Sequence, residues 1–207
     1  MNPTLSKSAA NLKRRARKAD KTLPSVWLMS DEARLPDPLA ACATLPRGAA
    51  VILRHYTAPD RRSLAKRLAA LCRARGLVLI VAGDWRLATE VGAAGFHLAD
   101  HAARRGPSAG ARLWRRRTRR LLTVAAHSDA AIRRAQVLEA AAVLLSPVFV
   151  TVSHPERPAL AQAHIAAVAR TTPIPVIALG GITMANISRL RDSGCAGIAG
   201  IGFALSK

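Results

Sequence analysis

Eight short apolar runs recur along the chain, and an amphipathic segment of helical length follows most of them. The runs are continuous rather than alternating, which indicates strands that are buried on both faces, as in a parallel sheet. Eight repeats at a spacing of about 24 residues favour an α/β protein with a closed (β/α)₈ TIM barrel. The predicted strands are 26–29, 49–53, 77–81, 94–98, 121–125, 142–145, 175–179 and 197–201.

Two features qualify this barrel. An open dinucleotide-binding sheet is disfavoured because no G-x-G-x-x-G sequence follows an early strand. After the eighth strand only residues 203–207 remain, too few for a full helix, so the pattern predicts a truncated last helix. One side of the barrel would then be uncovered, which suggests either a partner subunit, as in a homodimer, or a poorly covered seam.

Basic residues divide the chain into two predicted parts. Residues 1–22 are expected to form a basic, disordered arm, and residues 23–207 a single barrel domain. The formal charge is +20, and residues 1–24 contribute seven Lys or Arg against one Asp. Residues 104–120 contribute eight Arg and no acid. Nucleic acid is not the favoured partner, since the chain has only seven aromatic residues and no recognisable nucleic-acid motif.

The lengths of the apolar runs and the spacing of the cysteines indicate the cellular compartment in which the protein is expected. No run is long enough to span a membrane, and the polar, basic first residues do not resemble a secretory signal. The three cysteines, Cys42, Cys72 and Cys195, have neither metal-site spacing nor the even number of a disulfide framework. We therefore expect buried thiols in a cytoplasmic protein.

Ionisable residues cluster where the predicted strands end, which is where barrels of this type carry their reacting groups. Arg54 would present a fixed cation to an anionic ligand. Asp84 could hold Mg²⁺, but its position before a predicted helix makes a helix N-cap the more common role. The candidates at this edge are Arg54, His55, Tyr56, Asp84, His97, Asp100, His127 and His154.

Glycine turns follow the last two predicted strands. Gly180 and Gly181 end the seventh strand, and residues 200–202 end the eighth. Neighbouring glycine turns of this kind expose backbone N–H groups that can bind a phosphate. The alternative is that both are ordinary turns, where glycine supplies a positive φ. The spacing alone does not decide between the two.

Six segments together resemble the thiamine phosphate synthase/TenI family, in the order and spacing of that family. They are ILR at 52–54, GFHL at 95–98, AAHS at 125–128, SPVFVTVSHP at 146–155, VIALGGI at 176–182 and GCAGIAGI at 194–201. The resemblance extends from Val26 to the end of the chain. It implies a TIM barrel that acts in thiamine biosynthesis.

The resemblance also implies a binding site. Synthases of this family join a pyrimidine diphosphate to a thiazole phosphate with Mg²⁺. The implied substrate-binding residues are Arg54, Thr151, Ser153 and His154. The implied phosphate-binding residues are Gly180, Gly181, Gly200, Ile201 and Gly202. In the TenI branch, whose members are thiazole tautomerases, the residue at the position of His127 transfers a proton.

Several positions depart from the family pattern. On the second strand, Ile52 replaces a Gln and Tyr56 replaces a Lys. After the third strand, Gly83 replaces an Asn, which leaves Asp84 as the remaining metal-ligand candidate. Asp100 is acidic but lies two places before the family's second Mg²⁺-binding Asp. A diphosphate leaving group needs cations around it, so these changes predict an impaired synthase site.

Three functional hypotheses follow. The first is a TenI-like thiazole tautomerase in which His127 shuttles a proton. The alternative is a thiamine phosphate synthase, for which Mg²⁺ would be the cofactor. The third is a non-catalytic phosphate-ligand binder whose basic arm contacts nucleic acid or an acidic partner.

Overall fold

The computed structural model describes residues 3–16, 22–118, 120–151 and 158–201. Eight parallel strands form one closed barrel, in which each strand pairs with the next and β8 pairs with β1. The predicted (β/α)₈ TIM-barrel fold is therefore confirmed. The strands are β1 (Val26–Met29), β2 (Ala50–Leu53), β3 (Val78–Ala82), β4 (Gly95–Leu98), β5 (Leu121–Ala126), β6 (Ala142–Leu145), β7 (Val176–Leu179) and β8 (Gly197–Gly200).

Helices surround this barrel on the outside. They are α1 (Pro3–Arg15), α2 (Pro38–Ala43), α3 (Arg61–Arg75), α4 (Trp85–Glu90), α5 (Asp100–Ala103), α6 (Ala109–Thr118), α7 (Asp129–Val137), α8 (Gln162–Thr171) and a 3₁₀ helix at Ile187–Leu190. Most predicted elements agree with these bounds to within three residues. The sequence did not predict α1, α5 or α6.

Two apolar layers hold the fold together. Large side chains such as Trp27, Ile52 and Leu144 fill the barrel interior. A second layer lies between the strands and the helices, where every other strand residue points outward. Because both faces of each strand are buried in this way, the strands read as continuous apolar runs.

The three cysteines lie in these layers as free, buried thiols, as predicted. Burial raises the pKa of Cys42 to about 12 and the pKa of Cys195 to about 11. No helix in the described ranges is long and apolar enough to cross a membrane.

Helix α1 differs from the expected disordered arm. Leu5, Ala9 and Leu12 recur at helical spacing on one face, and all three are buried. This face packs against β8, β1 and the 3₁₀ helix. Arg15 forms an ion pair with Asp192 at 3.3 Å, between Nη2 and Oδ1. The apolar stripe outweighs the basic composition that suggested a solvated arm.

The position of α1 also changes the expectation for the last side of the barrel. The segment expected to be too short for an eighth helix, residues 203–207, lies outside the described residues. The described helix α1 instead covers the adjoining surface of β8 and β1. The argument for a partner subunit therefore loses its premise, and the homodimer stays a prediction.

The packing of α1 predicts that Leu12→Ala destabilises the protein. Leu12 is 4 % exposed, so its truncation should reduce the free energy of unfolding by about 2–3 kcal/mol. Urea denaturation followed by circular dichroism measures this. The control is Lys7→Ala on the exposed face of the same helix, which should change stability by no more than about 0.5 kcal/mol. Equal values for both variants would show that α1 does not dock.

Candidate active site

The carboxyl ends of the eight strands and the loops after them form one rim, called the barrel mouth below. Eight of the predicted site residues lie here in the described structure: Arg54, Asp84, His127, Thr151, Gly180, Gly181, Gly200 and Ile201. Ser153, His154 and Gly202 lie outside the described residues. Gly200 ends β8, and Ile201 follows it at the same rim.

The turn after β7 is shaped by its neighbouring loop. Gly180 and Gly181 have φ values of 100° and 65°. The loop after β6 crosses this turn, where the backbone N–H of Phe149 donates to the carbonyl of Gly180 at 3.1 Å. A Cβ on Gly181 would lie 2.3 Å from the carbonyl oxygen of Val150. Glycine is thus required here by the backbone alone, whether or not a phosphate binds.

Backbone donors remain available at this turn. Within the described part of the chain, the N–H groups of Gly180, Gly181 and Ile201 donate to no other protein group. Because β7 and β8 are paired neighbours, these donors lie on one side of the mouth. Unsatisfied amides in a concave turn are suited to a phosphate group. Phosphate binding by these residues stays a prediction.

His127 follows β5 directly. In the barrel β5 neighbours β6, and β6 neighbours β7, whose turn contains Gly180 and Gly181. Its Nδ1 is 3.1 Å from the carbonyl oxygen of Ser146 and 3.0 Å from the Ser146 hydroxyl. A carbonyl can only accept, so Nδ1 carries the proton of the neutral ring and Nε2 carries the lone pair. Pro147 follows Ser146 and lies beside the glycine turn, since a Cβ on Gly180 would be 3.1 Å from Cα of Pro147. His127 is exposed, so this arrangement leaves a proton acceptor beside the glycine turn.

Arg54 follows β2 on the opposite side of the mouth. Its backbone N–H donates to the Ser30 hydroxyl at 2.8 Å, and its guanidinium lies 3.9 Å from the carboxylate of Asp31. Asp31 is also bonded by Arg34 at 2.7 Å. This hydrogen bond from Arg34 is the main cause that lowers the pKa of Asp31 to about 2. Asp31 therefore shares its charge between two arginines, and Arg54 is only partly neutralised.

Asp84 is a helix cap. Its Oδ1 accepts from the backbone N–H of Leu87 at 2.9 Å, at the start of α4. Its Oδ2 lies 3.9 Å from the guanidinium of Arg61. Among the described residues, no group of three His, Cys, Asp or Glu side chains could hold a metal ion. Asp84 could therefore supply one carboxylate oxygen to the Mg²⁺ ion that the family resemblance implies, and the other ligands would come from water and substrate phosphate.

Two other candidates, His97 and Asp100, have partners within the protein. His97 lies inside the barrel, 2 % exposed, with its Nδ1 2.9 Å from the Thr123 hydroxyl. Burial lowers the pKa of His97 to about 3, so the ring is neutral. Asp100 is held by Arg134 at 2.7 Å and by Arg104 at 3.5 Å. The expectation that His97 is a reacting group at the mouth is therefore wrong. Asp100 already forms ion pairs with Arg134 and Arg104.

His55 is buried against β1 instead of facing a ligand. It is 4 % exposed, and its Nδ1 lies 2.9 Å from the Ser30 hydroxyl. The same hydroxyl accepts from the backbone N–H of Arg54, so Ser30 links the ring of His55 to the backbone of Arg54. His55 therefore helps to position Arg54.

Two arginines near the mouth were missed by the sequence reasoning. Arg61, the first residue of α3, donates from Nη2 to the carbonyl of Ala82 at 2.5 Å. Arg189 lies with its Cζ 5.3 Å from the centroid of the Phe149 ring, beside the loop that crosses Gly181. Neither position follows from the strand ends, because both side chains reach the mouth from helices.

Comparisons with known proteins agree with this architecture. The family model described as thiamine monophosphate synthase matches residues 32–203. A thiamine-phosphate synthase of Bordetella pertussis is 38% identical over 160 residues, covering 70% of this chain and 69% of the relative. A thiamine-phosphate synthase of Thiobacillus denitrificans is 36% identical over 148 residues, covering 68% of this chain and 65% of the relative.

A solved structure gives the same fold. The thiamine phosphate pyrophosphorylase of Pyrococcus furiosus superposes with a TM-score of 0.68 and 21% identity. The match covers 87% of this chain and 86% of that chain. At this identity the likeness shows a shared barrel.

The crowding around Gly181 predicts that Gly181→Ala costs more than Gly92→Ala. The two glycines have nearly equal φ values, 65° and 66°, but a Cβ on Gly92 would meet nothing within 4 Å. Gly92→Ala should cost about 1 kcal/mol for the backbone conformation. Gly181→Ala should cost a further 1–3 kcal/mol or so, because the loop after β6 must move. Urea denaturation compares the two, and equal losses would contradict the close approach.

The buried His97 predicts a loss of stability in mild acid. In the folded protein the pKa of His97 is about 3, so its ring stays neutral in mild acid. In the unfolded chain the same ring binds a proton below about pH 6.5. Stability should therefore fall as the pH drops from 6.5 toward 3. Between pH 7 and pH 5 this site should remove about 2 kcal/mol.

Denaturation curves at the two pH values test this with His97→Gln, which cannot be protonated. The variant should lose about 2 kcal/mol less than the wild-type protein on acidification. His101→Gln, at an exposed position of α5, is the matched control and should behave like the wild type. An identical pH dependence for all three proteins would show that His97 is not held neutral.

Proposed function

Since the chain belongs to the thiamine monophosphate synthase (TMP-TENI) family of thiamine biosynthesis, we propose that it is a thiamine-phosphate synthase. The proposal is carried by a single mouth with two sets of donors. After β7 and β8 lie backbone amides that donate to no protein group among the described residues, and after β2 lies the partly neutralised Arg54. The sequence alone ranked tautomerase first. The curated relatives at 36% and 38% identity favour the synthase alternative.

The proposed reaction uses the two sides of the mouth for two substrates. The amides of Gly180, Gly181 and Ile201 would hold the phosphate of the thiazole phosphate. Thr151 lies on the loop that crosses the Gly181 turn and would contact the same substrate. Arg54 would face the pyrimidine diphosphate, because guanidinium groups bind phosphate oxygens in a bidentate manner. Both substrates would then meet at the centre of the mouth, above the apolar interior.

A tautomerase is the second candidate, and a separate observation favours it. His127 has its Nδ1 fixed by Ser146, so its Nε2 lone pair points away from that contact. Proton transfer on a bound thiazole phosphate needs one group of this kind beside a phosphate site. The same turn after β7 would bind the substrate in both reactions, so binding of thiazole phosphate alone does not distinguish them.

A binder that uses its basic arm on nucleic acid or an acidic partner has less support. Three apolar residues of the expected arm pack against the barrel, and Arg15 is paired with Asp192. The comparisons indicate enzymes that are named for small phosphorylated substrates. An interaction of the exposed Lys and Arg of α1 with a polyanion remains a prediction.

Two assays on the purified full chain test the proposal. With pyrimidine diphosphate, thiazole phosphate and Mg²⁺, the protein should form thiamine phosphate, detected by chromatography. Arg54→Gln should lower kcat/KM by about 10²–10³-fold, because it removes a charged contact to the departing diphosphate. Arg67→Gln, an exposed arginine on α3, is the control and should leave kcat/KM within about twofold.

The second assay follows thiazole tautomer conversion. His127→Gln should lower any such activity by about 10²–10⁴-fold, and the variant protein should fold normally. Tautomer conversion without thiamine phosphate formation would replace the synthase proposal with the tautomerase. Absence of both activities in a protein that still binds thiazole phosphate would favour the non-catalytic binder.

A further inference from the structure

We propose that Asn186 is a positioning residue for the glycine turn after β7, and that its side chain fixes the peptide bonds on which phosphate binding by this turn depends. This inference rests on the proposed function, which supplies a phosphorylated thiazole as the ligand. Asn186 directly precedes the 3₁₀ helix Ile187–Leu190. It is not among the site residues that the sequence predicted, and it acts through the turn without touching the substrate.

A turn of two consecutive glycines needs outside contacts to hold one conformation. Glycine has no Cβ, so its backbone adopts a wider range of φ and ψ than that of any other residue. Gly180 and Gly181 have φ values of 100° and 65°, both in the left-handed region. Backbone amides bind an anion well when they are ordered before it arrives, because ordering them at the moment of binding costs affinity. The contacts around this turn therefore determine how well it binds a phosphate.

Asn186 forms two hydrogen bonds across the turn. Its Nδ2 donates to the carbonyl oxygen of Gly181 at 2.8 Å. Its Oδ1 accepts from the backbone N–H of Thr183, also at 2.8 Å. The two contacts agree on one orientation of the side-chain amide, since a carbonyl can only accept and an N–H can only donate. The side chain thus ties together the two ends of the segment from Gly181 to Thr183.

The two peptide planes beside Gly181 are held from different sides. The plane before it is held by the loop after β6, where the N–H of Phe149 donates to the carbonyl of Gly180 at 3.1 Å. In a trans peptide the C=O and the following N–H point in opposite directions, so this bond directs the N–H of Gly181. The plane after Gly181 is held by Asn186. Loss of Asn186 would release that second plane and widen the range of conformations of the turn.

Asn186 is itself anchored by the 3₁₀ helix. Its backbone carbonyl accepts from the N–H of Arg189 at 3.0 Å, and its backbone N–H donates to the carbonyl of Thr183 at 3.3 Å. The next residue, Ile187, is buried in the layer between the strands and the helices. Arg189 lies with its Cζ 5.3 Å from the centroid of the Phe149 ring. One short element therefore contacts the turn through Asn186 and the crossing loop through Arg189.

Asn186→Asp tests the proposal because it separates the two hydrogen bonds. The carboxylate still accepts from the N–H of Thr183, but it has no proton for the carbonyl of Gly181. Titration calorimetry on the full chain measures the binding of thiazole phosphate and, separately, of pyrimidine diphosphate. The affinity for thiazole phosphate should fall by about tenfold, the equivalent of one hydrogen bond. The affinity for pyrimidine diphosphate, on the opposite side of the mouth, should stay within about twofold, because distant sites are nearly independent.

The matched control is Ser188→Asp. Ser188 lies at an exposed position of the same 3₁₀ helix, and its substitution adds the same negative charge near the turn. In about 0.15 M salt this solvated charge is screened, so the affinity for thiazole phosphate should fall by no more than about twofold. Equal losses in Asn186→Asp and Ser188→Asp would show that the added charge weakens binding, and would overturn the proposal.

A second variant covers the case in which Asn186→Asp does not fold. Asn186→Ala removes both hydrogen bonds and adds no charge, so the affinity for thiazole phosphate should again fall by about tenfold. Wild-type affinity in a folded Asn186→Ala protein, or equal losses for both substrates, would refute the positioning role. Thermal unfolding of each variant shows whether the fold is intact.

The synthase assay gives a kinetic measurement that a general loss of structure would not reproduce. Asn186→Asp should raise the KM for thiazole phosphate by about tenfold and leave kcat within about threefold, because the same contact is lost in the ground state and in the transition state. The KM for pyrimidine diphosphate should not change. A fall in kcat with an unchanged KM would contradict a role in binding the phosphate.

Failure of the positioning role and failure of the proposed function give different results. Selective loss of thiazole phosphate binding in Asn186→Asp, without thiamine phosphate formation by the wild type, would keep the positioning role and reject the synthase. Thiamine phosphate formation with the same KM for thiazole phosphate in both proteins would keep the synthase and reject the positioning role. A wild-type protein that does not bind thiazole phosphate at all would also reject it.

Discussion

Hydrogen bonding between the first and last strands is the constraint on which the rest of this structure depends. β1 and β8 pair in parallel from Val26 opposite Ile198 to Leu28 opposite Gly200. In an open sheet, strands lie about 4.8 Å apart, and the loops after β2 and β7 would be five strands distant. Closure makes them two sides of one mouth. Helix α1 packs over this closing seam, so a segment far from the mouth supports its geometry.

The mouth itself is electrostatically divided. On the β7–β8 side the donors are backbone amides, which carry no net charge and are fixed by the approach of the loop after β6. On the β2–β3 side the donors are guanidinium groups: that of Arg61 is held by the carbonyl of Ala82, and Arg54 is held through its backbone N–H by the Ser30 hydroxyl. Nearby carboxylates are used inside the protein, such as Asp100 with Arg134. This division suits two anionic ligands of different charge.

The sequence predicted the barrel and its strands because continuous apolar runs report burial on both faces. It also placed Arg54, His127 and the Gly180–Gly181 turn at the mouth, since strand ends follow directly from strand positions. It failed where contacts are long-range. The partner of α1, the interior position of His97 beside Thr123 and the reach of Arg61 to Ala82 each depend on packing between distant segments. A local pattern contains no information about such distances.

The contact between Tyr56 and Gly83 bears on which residues can stand at position 83. A Cβ there would lie 3.3 Å from Cε1 of the ring, so the ring would have to shift by a few tenths of an ångström. Tyr56 is 47% exposed, which leaves its side chain room to make that shift. The backbone is the stronger restriction, because φ at residue 83 is 74°, a conformation that glycine adopts without strain.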